Sequence, residues 1–213
     1  MFSLKEQLAN EGTDLDGYDV AIPGIIAFIL NFLVLLITSL TLTREYTYRT
    51  RTRLFTAPIR PADVVIGYAI ALCLLSIMMS IVVLLVGTLG FGATVRGNWF
   101  LLLIAIILYG ITFVFLGVFV STQAKNELQA IQFAPLVALP SMALGGFLVP
   151  IESLPEILQP ISSIIPLTYG IQMLRGIMLK GYGIADLWLE FSVIGIFCVT
   201  FLVLALITVK EEE

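Results

Sequence analysis

Residues 22–42 read IPGIIAFILNFLVLLITSLTL and contain no charged side chain. A helix needs about 20 apolar residues to cross a hydrocarbon layer about 30 Å thick, so this run predicts a transmembrane helix. Four further uncharged runs of similar or greater length follow, at residues 64–91, 97–124, 128–151 and 191–209. The sequence therefore predicts an all-α integral membrane protein with a bundle of five transmembrane helices.

The composition agrees with this prediction and excludes several classes of function. Of 213 residues, 59% are hydrophobic and 12% are charged, and a water-soluble domain could not bury so much apolar surface. A net charge of −4 without a basic face argues against nucleic acid as a partner. Histidine is absent, so the commonest general base and a common zinc ligand are missing. We expect no catalytic residue and no metal site, and Cys73 and Cys198 are expected to act as small hydrophobes.

The distribution of arginine predicts the orientation of the bundle. The loop after the first run carries five arginines, and basic loops stay in the cytoplasm. Residues 1–21 then form an acidic extracytoplasmic tail, residues 22–209 the transmembrane domain, and residues 210–213 a cytoplasmic tail. Spans are predicted at about 22–42, 64–89, 100–120, 130–149 and 188–209. We expect a multi-pass protein of the plasma membrane.

Residues 150–183 are interrupted by prolines and allow two interpretations. The uncharged run 157–174 is long enough to be a sixth crossing. However, Pro155, Pro160 and Pro166 would each interrupt a continuous helix, and polar residues recur on one face at Glu152, Glu156, Gln159 and Ser163. This pattern favours an outer re-entrant hairpin before the last span. The sixth crossing remains the alternative.

The loop between the first two spans is the first candidate functional site. It reads REYTYRTRTRLFTAP (residues 44–58). The arginines suit pairing with carboxylates of a cytoplasmic partner, and the apolar residues near Leu54 suit a groove on it. The alternative is an anchor in the lipid headgroups. The candidate docking residues are Arg44, Glu45, Arg49, Arg53, Leu54, Phe55 and Pro58.

The second candidate is a short polar turn that leads into the fourth span, with Lys125, Asn126, Glu127, Gln129 and Gln132. Gln129 and Gln132 fall on one helical face near Glu127, which is consistent with gating or with a contact between subunits. Polar residues near the end of a span are also commonly interhelical contacts or interfacial polarity, and this alternative stays open.

Other features of the spans narrow the class of transporter. Ionisable residues are nearly absent from them, Glu190 lying at the edge of the last one. Ion-coupled carriers need such groups at mid-membrane, so a secondary transporter is disfavoured. No phosphate-binding G-x-x-x-x-G-K-[ST] motif occurs. Small residues at Gly67/Ala71, Ser76/Ser80 and Gly110/Gly117 predict close contacts between helices.

Three stretches together resemble the type-2 ATP-binding-cassette exporter permeases: AKNELQAIQFAPLVALP (residues 124–140), GFLVPIESLP (146–155) and IPLTYG (165–170). The resemblance implies a subunit of six spans that dimerises, binds two cytoplasmic ATPase subunits through the arginine loop, and carries an outer re-entrant hairpin. It assigns Glu45 and Pro58 to the ATPase-facing loop, and it assigns to the hairpin the residues Pro150, Glu152, Pro155, Pro166 and Tyr169.

The sequence departs from this family in two places. Arg49 and Thr50 stand where members have Gly-Thr, and the N-terminal cytoplasmic helix and first span of the family are not matched. The expected function is the membrane-spanning permease of an ATP-driven exporter for an amphiphilic or lipid-linked substrate. The expected partners are a separate ATPase, which would supply ATP and Mg²⁺, a second permease copy and membrane lipid. The alternative is a truncated, non-transporting remnant or one half of a split permease.

Overall fold

The computed structural model describes residues 17–47, 61–148 and 151–211. Within these ranges the chain forms seven α-helices and no strand. They are α1 (Gly17–Thr47), α2 (Pro61–Leu85), α3 (Trp99–Gln123), α4 (Glu127–Leu144), α5 (Gln159–Ser162), α6 (Pro166–Lys180) and α7 (Trp188–Glu211). A π-helical turn, Val86–Gly90, continues α2, and a 3₁₀ turn covers Ile151–Ser153. The all-α fold is therefore confirmed.

In the part of the chain that the structure describes, four helical segments are long and apolar enough to cross a membrane: Val20–Glu45, Ile70–Gly90, Trp99–Gln123 and Trp188–Thr208. They correspond to four of the five predicted spans. The remaining predicted span corresponds to α4, which has 18 residues and contains Pro135 and Pro140. Helix α4 ends at Leu144, before the predicted boundary at 149, because Gly146 adopts a φ of +79° and turns the chain.

Helix α3 lies at the centre of the bundle and packs against α1, α2, α6 and α7. Its glycines allow close approach: a Cβ on Gly110 would lie 2.6 Å from Oγ of Ser76, and one on Gly117 would lie 2.8 Å from Cβ of Thr38. Ser80 also donates a hydrogen bond to the carbonyl of Ile106 at 3.3 Å. The predicted contacts at the serine pair and at these glycines are confirmed, whereas a Cβ added to Gly67 would meet no atom of another described element within 4 Å.

The chain between α4 and α7 leaves from and returns to the same end of the bundle. Leu167, in the first turn of α6, lies against Gly145 at the end of α4. The last turn of α6 is joined to the residues before α3, because Arg96 N donates to the carbonyl of Met178 at 3.0 Å. Leu187, just before α7, packs on Gly176 of α6. Both ends of α6 therefore contact elements that begin or finish at this end, which we call the hairpin end.

Candidate functional site

The two predicted polar turns meet at the opposite end of the bundle, where α1 finishes and α4 begins. Nε of Arg44, in the last turn of α1, lies 2.9 Å from Oε2 of Glu127, the first residue of α4. The two side chains are 55% and 27% exposed. An ion pair this open to solvent contributes about 0–1 kcal/mol to stability. It joins the end of α1 to the start of α4, and we call this region the arginine end.

Hydrogen bonds at the start of α4 hold Glu127 in place. The side chain of Asn126 accepts from the backbone N–H of Gln129 at 2.9 Å, and Oε1 of Gln129 accepts from the N–H of Lys125 at 2.9 Å. The first bond caps a free N–H group of the first turn, and the second satisfies the N–H of the residue before the N-cap. A carboxylate in that turn also interacts favourably with the helix dipole. The polar turn is thus a rigid base from which Glu127 reaches Arg44.

The sequence assigned Gln129 and Gln132 to one role, but the structure separates them. Gln129 completes the cap, a function that the spacing from Asn126 could have revealed. Gln132 is exposed on α4. Lys125 is also exposed, and Glu45 is partly exposed beside Arg44. The other docking candidates, Arg49, Arg53, Leu54, Phe55 and Pro58, lie outside the described residues.

At the hairpin end, side chains tie irregular backbone together. The hydroxyl of Thr168 donates to the carbonyl of Ser162 at 2.8 Å, and Nε2 of Gln159 donates to that of Leu154 at 3.1 Å. Nη1 of Arg175 reaches back from α6 to the carbonyl of Gly146 at 3.3 Å. These bonds satisfy polar groups in an otherwise apolar setting.

The predicted hairpin residues occupy different positions in this segment. Pro155 is exposed, whereas Pro166 occupies the first turn of α6, where its missing N–H costs no helical bond. Tyr169 donates from its hydroxyl to the carbonyl of Ser163 at 3.0 Å. Pro150 lies outside the described residues, and the side chain of Glu152 is likewise not described.

The polar residues that the sequence places inside the bundle are buried. Asn31, Thr38 and Thr112 are each at most 1% exposed, and the Thr112 hydroxyl donates to the carbonyl of Leu108 at 2.9 Å. Both amide atoms of Asn31 lack a hydrogen-bond partner among the described residues. Cys73 and Cys198 are free thiols, each partly exposed.

Sequence reasoning missed a junction at Tyr109, which is fully buried in α3. Its hydroxyl donates to the carbonyl of Ala27 in α1 at 3.2 Å, and its ring packs edge-on against Phe113 with centroids 4.9 Å apart. The backbone of Gly170 in α6 lies directly against the same ring. One side chain thus joins three helices. A tyrosine in an apolar run gives no signal of such a junction without the tertiary contacts.

A groove of about 240 Å³ lies between the first half of α1 and the end of α2. Its lining is apolar, comprising Ile22, Ile25, Ile26, Ile29, Leu33, Val82, Val83, Val86, Gly87 and Phe91. No charged side chain is among the described residues that line it. Among the described residues, moreover, no three His, Cys, Asp or Glu side chains gather in a way that could hold a metal ion.

Residues 3–179 match the family described as "ABC-2 type transporter". The chain is 27% identical over 197 residues to "ABC transporter G family member 20" of Dictyostelium discoideum, covering 92% of this chain and 27% of that protein. It is 25% identical over 175 residues to "Probable multidrug ABC transporter permease YbhR" of Escherichia coli K12, covering 82% and 48%.

A further relative is the "Inner membrane transport permease YhhJ" of Escherichia coli K12, which is 29% identical over 173 residues, covering 79% of this chain and 46% of that protein. The chain thus spans about half the length of these bacterial relatives and about a quarter of the Dictyostelium protein. The family match covers most of the chain and both candidate turns. This protein therefore belongs to the ABC-2 type transporter family.

Proposed function

We propose that this protein is the membrane-spanning permease subunit of an ATP-driven exporter, with ATP hydrolysis on a separate cytoplasmic ATPase. The observation that carries the proposal is the contact between Arg44 and Glu127. It joins the end of α1, from which the arginine loop leaves, to the capped start of α4. A partner that moves this loop could therefore move α4 as well. The family membership supports the same division of labour.

We also propose five membrane crossings, by α1, α2, α3, α4 and α7, with α5 and α6 forming a re-entrant hairpin. The arginine end then faces the cytoplasm, in keeping with the positive-inside rule. The contacts of α6 favour this topology over a sixth crossing, because both its ends contact elements at the hairpin end. A crossing helix would instead place one end near Glu127.

Cysteine labelling tests this topology. In a background with Cys73 and Cys198 replaced by alanine, single cysteines are introduced at the exposed positions Thr94, Ser153 and Lys125. A membrane-impermeant maleimide added to intact cells should label the first two and spare the third, which should react only after the membrane is opened. External labelling of Lys125→Cys, or protection of Ser153→Cys beside a labelled Thr94→Cys, would overturn the proposed arrangement.

ATPase recruitment tests the function itself. Burying an aromatic anchor typically contributes about 2 kcal/mol or more at an interface, whereas a charge at its rim contributes less. We therefore expect Phe55→Ala to reduce co-purification of the ATPase more than Arg51→Ala does, and to lower ATP-dependent export in proportion. Full recruitment and export in Phe55→Ala would identify the loop as an anchor in the lipid headgroups. If the unaltered chain neither recruits an ATPase nor exports, the alternative of a non-transporting remnant is supported.

The proposed substrate is an amphiphilic or lipid-linked molecule. The polar residues inside the bundle are uncharged, namely Asn31, Thr38 and Thr112, and such a surface suits apolar bodies with a few hydrogen bonds. The name of the YbhR permease, which carries the word multidrug, points the same way. In the export assay above, an amphiphilic dye should be moved and should stimulate ATP hydrolysis. Stimulation by small hydrophilic ions alone would contradict this assignment.

A further inference from the structure

Two exposed cations lie in neighbouring segments at the hairpin end. Arg96 precedes α3, and Lys180 is the last residue of α6. The N–H of Arg96 donates to the carbonyl of Met178, and a Cβ added to Gly181 would lie 4.0 Å from Cβ of Arg96. The fold thus brings together two positive charges that are far apart in the sequence.

Glycines fix the backbone that carries these cations. Gly181 adopts a φ of +68°, and the N–H of Tyr182 donates to the carbonyl of Gly176 at 3.0 Å, which is the hydrogen bond that closes a helix C-terminus. Gly97 lies directly against the carbonyl of Ile177, where a side chain would not fit. The relative position of the two segments is therefore set by the fold itself.

Neither cation is neutralised by a carboxylate in the part of the chain that the structure describes. The acids that follow in the next turn and helix, Asp186 and Glu190, form no ion pair with either of them. Nζ of Lys180 lies 5.2 Å from the ring centroid of Tyr182, a contact that orients the ammonium and leaves its charge in place. Basic residues are less common on the extracytoplasmic side of membrane proteins. Two unpaired cations there indicate an anionic partner.

The chain has two tryptophans, and both lie at the hairpin end. Trp99 is the first residue of α3 and Trp188 the first of α7, and they are 53% and 64% exposed. Because α3 and α7 pack against each other and begin at the same end, the two rings lie at a similar depth. Tryptophan concentrates at the boundary between hydrocarbon and headgroups, and long basic side chains reach from that boundary to the polar layer. The cations are therefore placed where the phosphates of a bilayer lie.

We propose that Arg96 and Lys180 together bind the phosphate of an anionic phospholipid, at the level where the two tryptophans enter the bilayer. A guanidinium can bind two phosphate oxygens at once, and an ammonium adds a second positive charge. A phospholipid without net charge fits less well, because its headgroup ammonium would face the same cations. The inference rests on the proposed function only in placing the hairpin end at the extracytoplasmic surface.

Tryptophan fluorescence tests this site, because both tryptophans report from the hairpin end. The whole chain in detergent is titrated with phosphatidylglycerol that carries brominated acyl chains, since bromine quenches nearby indole emission. Brominated phosphatidylcholine is the comparison without net charge. We expect phosphatidylglycerol to reach half of its quenching at a concentration at least about fivefold lower, the gain that one cation gives towards an anionic lipid. Equal concentrations for the two lipids would refute the site.

Charge-removing variants assign the effect to the two cations. Arg96→Gln and Lys180→Gln should each raise the half-quenching concentration of phosphatidylglycerol about fivefold, and the double variant about 25-fold. Both side chains are exposed, so emission without lipid should stay the same. Lys125→Gln removes an exposed cation at the arginine end and is the matched control, with an unchanged curve expected. A double variant that keeps the full preference, or a Lys125→Gln variant that loses it, would contradict the proposal.

Inorganic phosphate distinguishes a lipid site from a site for a soluble anion. Compared with sodium chloride of equal ionic strength, phosphate should not reverse the quenching by phosphatidylglycerol. Reversal by phosphate alone would overturn the assignment to a lipid. The assay contains no ATPase and measures no export, so a negative result here leaves the proposed function standing. A chain that fails as an exporter can equally still bind the lipid.

Discussion

Replacing Gly170 by alanine should destabilise the bundle by about 1–3 kcal/mol or more, the cost of overpacking a closely packed core. A Cβ at this position would lie 2.3 Å from Cε2 of Tyr109 and 2.7 Å from Cδ2. The ring has nowhere to move, because it is fully buried and its hydroxyl is bonded to the carbonyl of Ala27. We expect a lower thermal unfolding midpoint in detergent and a lower yield from membranes, with Gly170→Val affected more strongly.

Gly195→Ala is the matched control for this substitution. Gly195 lies in the interior of α7, and among the described residues a Cβ there would meet no neighbouring atom within 4 Å. Its unfolding midpoint should stay the same or rise, since alanine favours a helix over glycine by about 1 kcal/mol. A smaller side chain at position 109 should make room for the added Cβ. Tyr109→Leu combined with Gly170→Ala should therefore be more stable than Gly170→Ala alone. Equal stability of Gly170→Ala and Gly195→Ala would contradict the junction.

The spanning helices could be predicted because hydrophobicity alone determines where a helix can cross a bilayer. The predicted spans at 100–120 and 188–209 fall within α3 (Trp99–Gln123) and α7 (Trp188–Glu211). The prediction was weaker for α4, whose end depends on the backbone of the Gly145–Gly146 pair rather than on composition. The small-residue spacing predicted close contacts correctly at Gly110 and Gly117, but not at Gly67, because spacing does not reveal which face a helix buries.

The hairpin could be predicted only in outline. The prolines correctly indicated interruptions, since Pro160 lies in the first turn of α5 and Pro166 in that of α6. They gave no sign that α6 is a 15-residue helix with buried residues on most sides, including Leu174, Ile177 and Met178. That burial arises from contacts with α1, α3 and α7, which are distant in sequence.

The candidate site shows the same division between local and tertiary information. Arg44 and Glu127 were each predicted as part of a functional turn, from local charge and polarity. Their pairing across 83 residues depends on how α1 and α4 pack together. Ala130, Ala134 and Ala138 of α4, all buried, are visible in the sequence as a four-residue spacing, yet only the fold shows that α4 packs mainly against α1.

Reversing the charge of Arg44 or of Glu127 should reduce export while leaving the fold intact. Nε of Arg44 lies 2.9 Å from Oε2 of Glu127, so Arg44→Glu would place two carboxylates opposite each other. Their repulsion would separate the ends of α1 and α4. Stability should change by no more than about 1 kcal/mol, because exposed pairs contribute little. Because the pair itself contributes about 0–1 kcal/mol, we expect a loss of export of up to about 5-fold.

The exchanged pair, Arg44→Glu with Glu127→Arg, separates coupling from other roles of either residue. If the contact transmits movement from the arginine loop to α4, the exchange restores attraction between the helix ends and should recover most of the export lost in each single variant. ATPase co-purification is measured alongside, because Arg44 is also a docking candidate, and constant recruitment in Arg44→Glu assigns its loss of export to coupling. The measurements are ATP-dependent export and ATP hydrolysis in one reconstituted complex.

Hydrolysis that continues without export in the single variants, and is coupled to export again in the exchanged pair, identifies the contact as the coupling element. Unchanged export in both single variants, or an exchanged pair no better than the worse single variant, would show that the ion pair has no role in coupling.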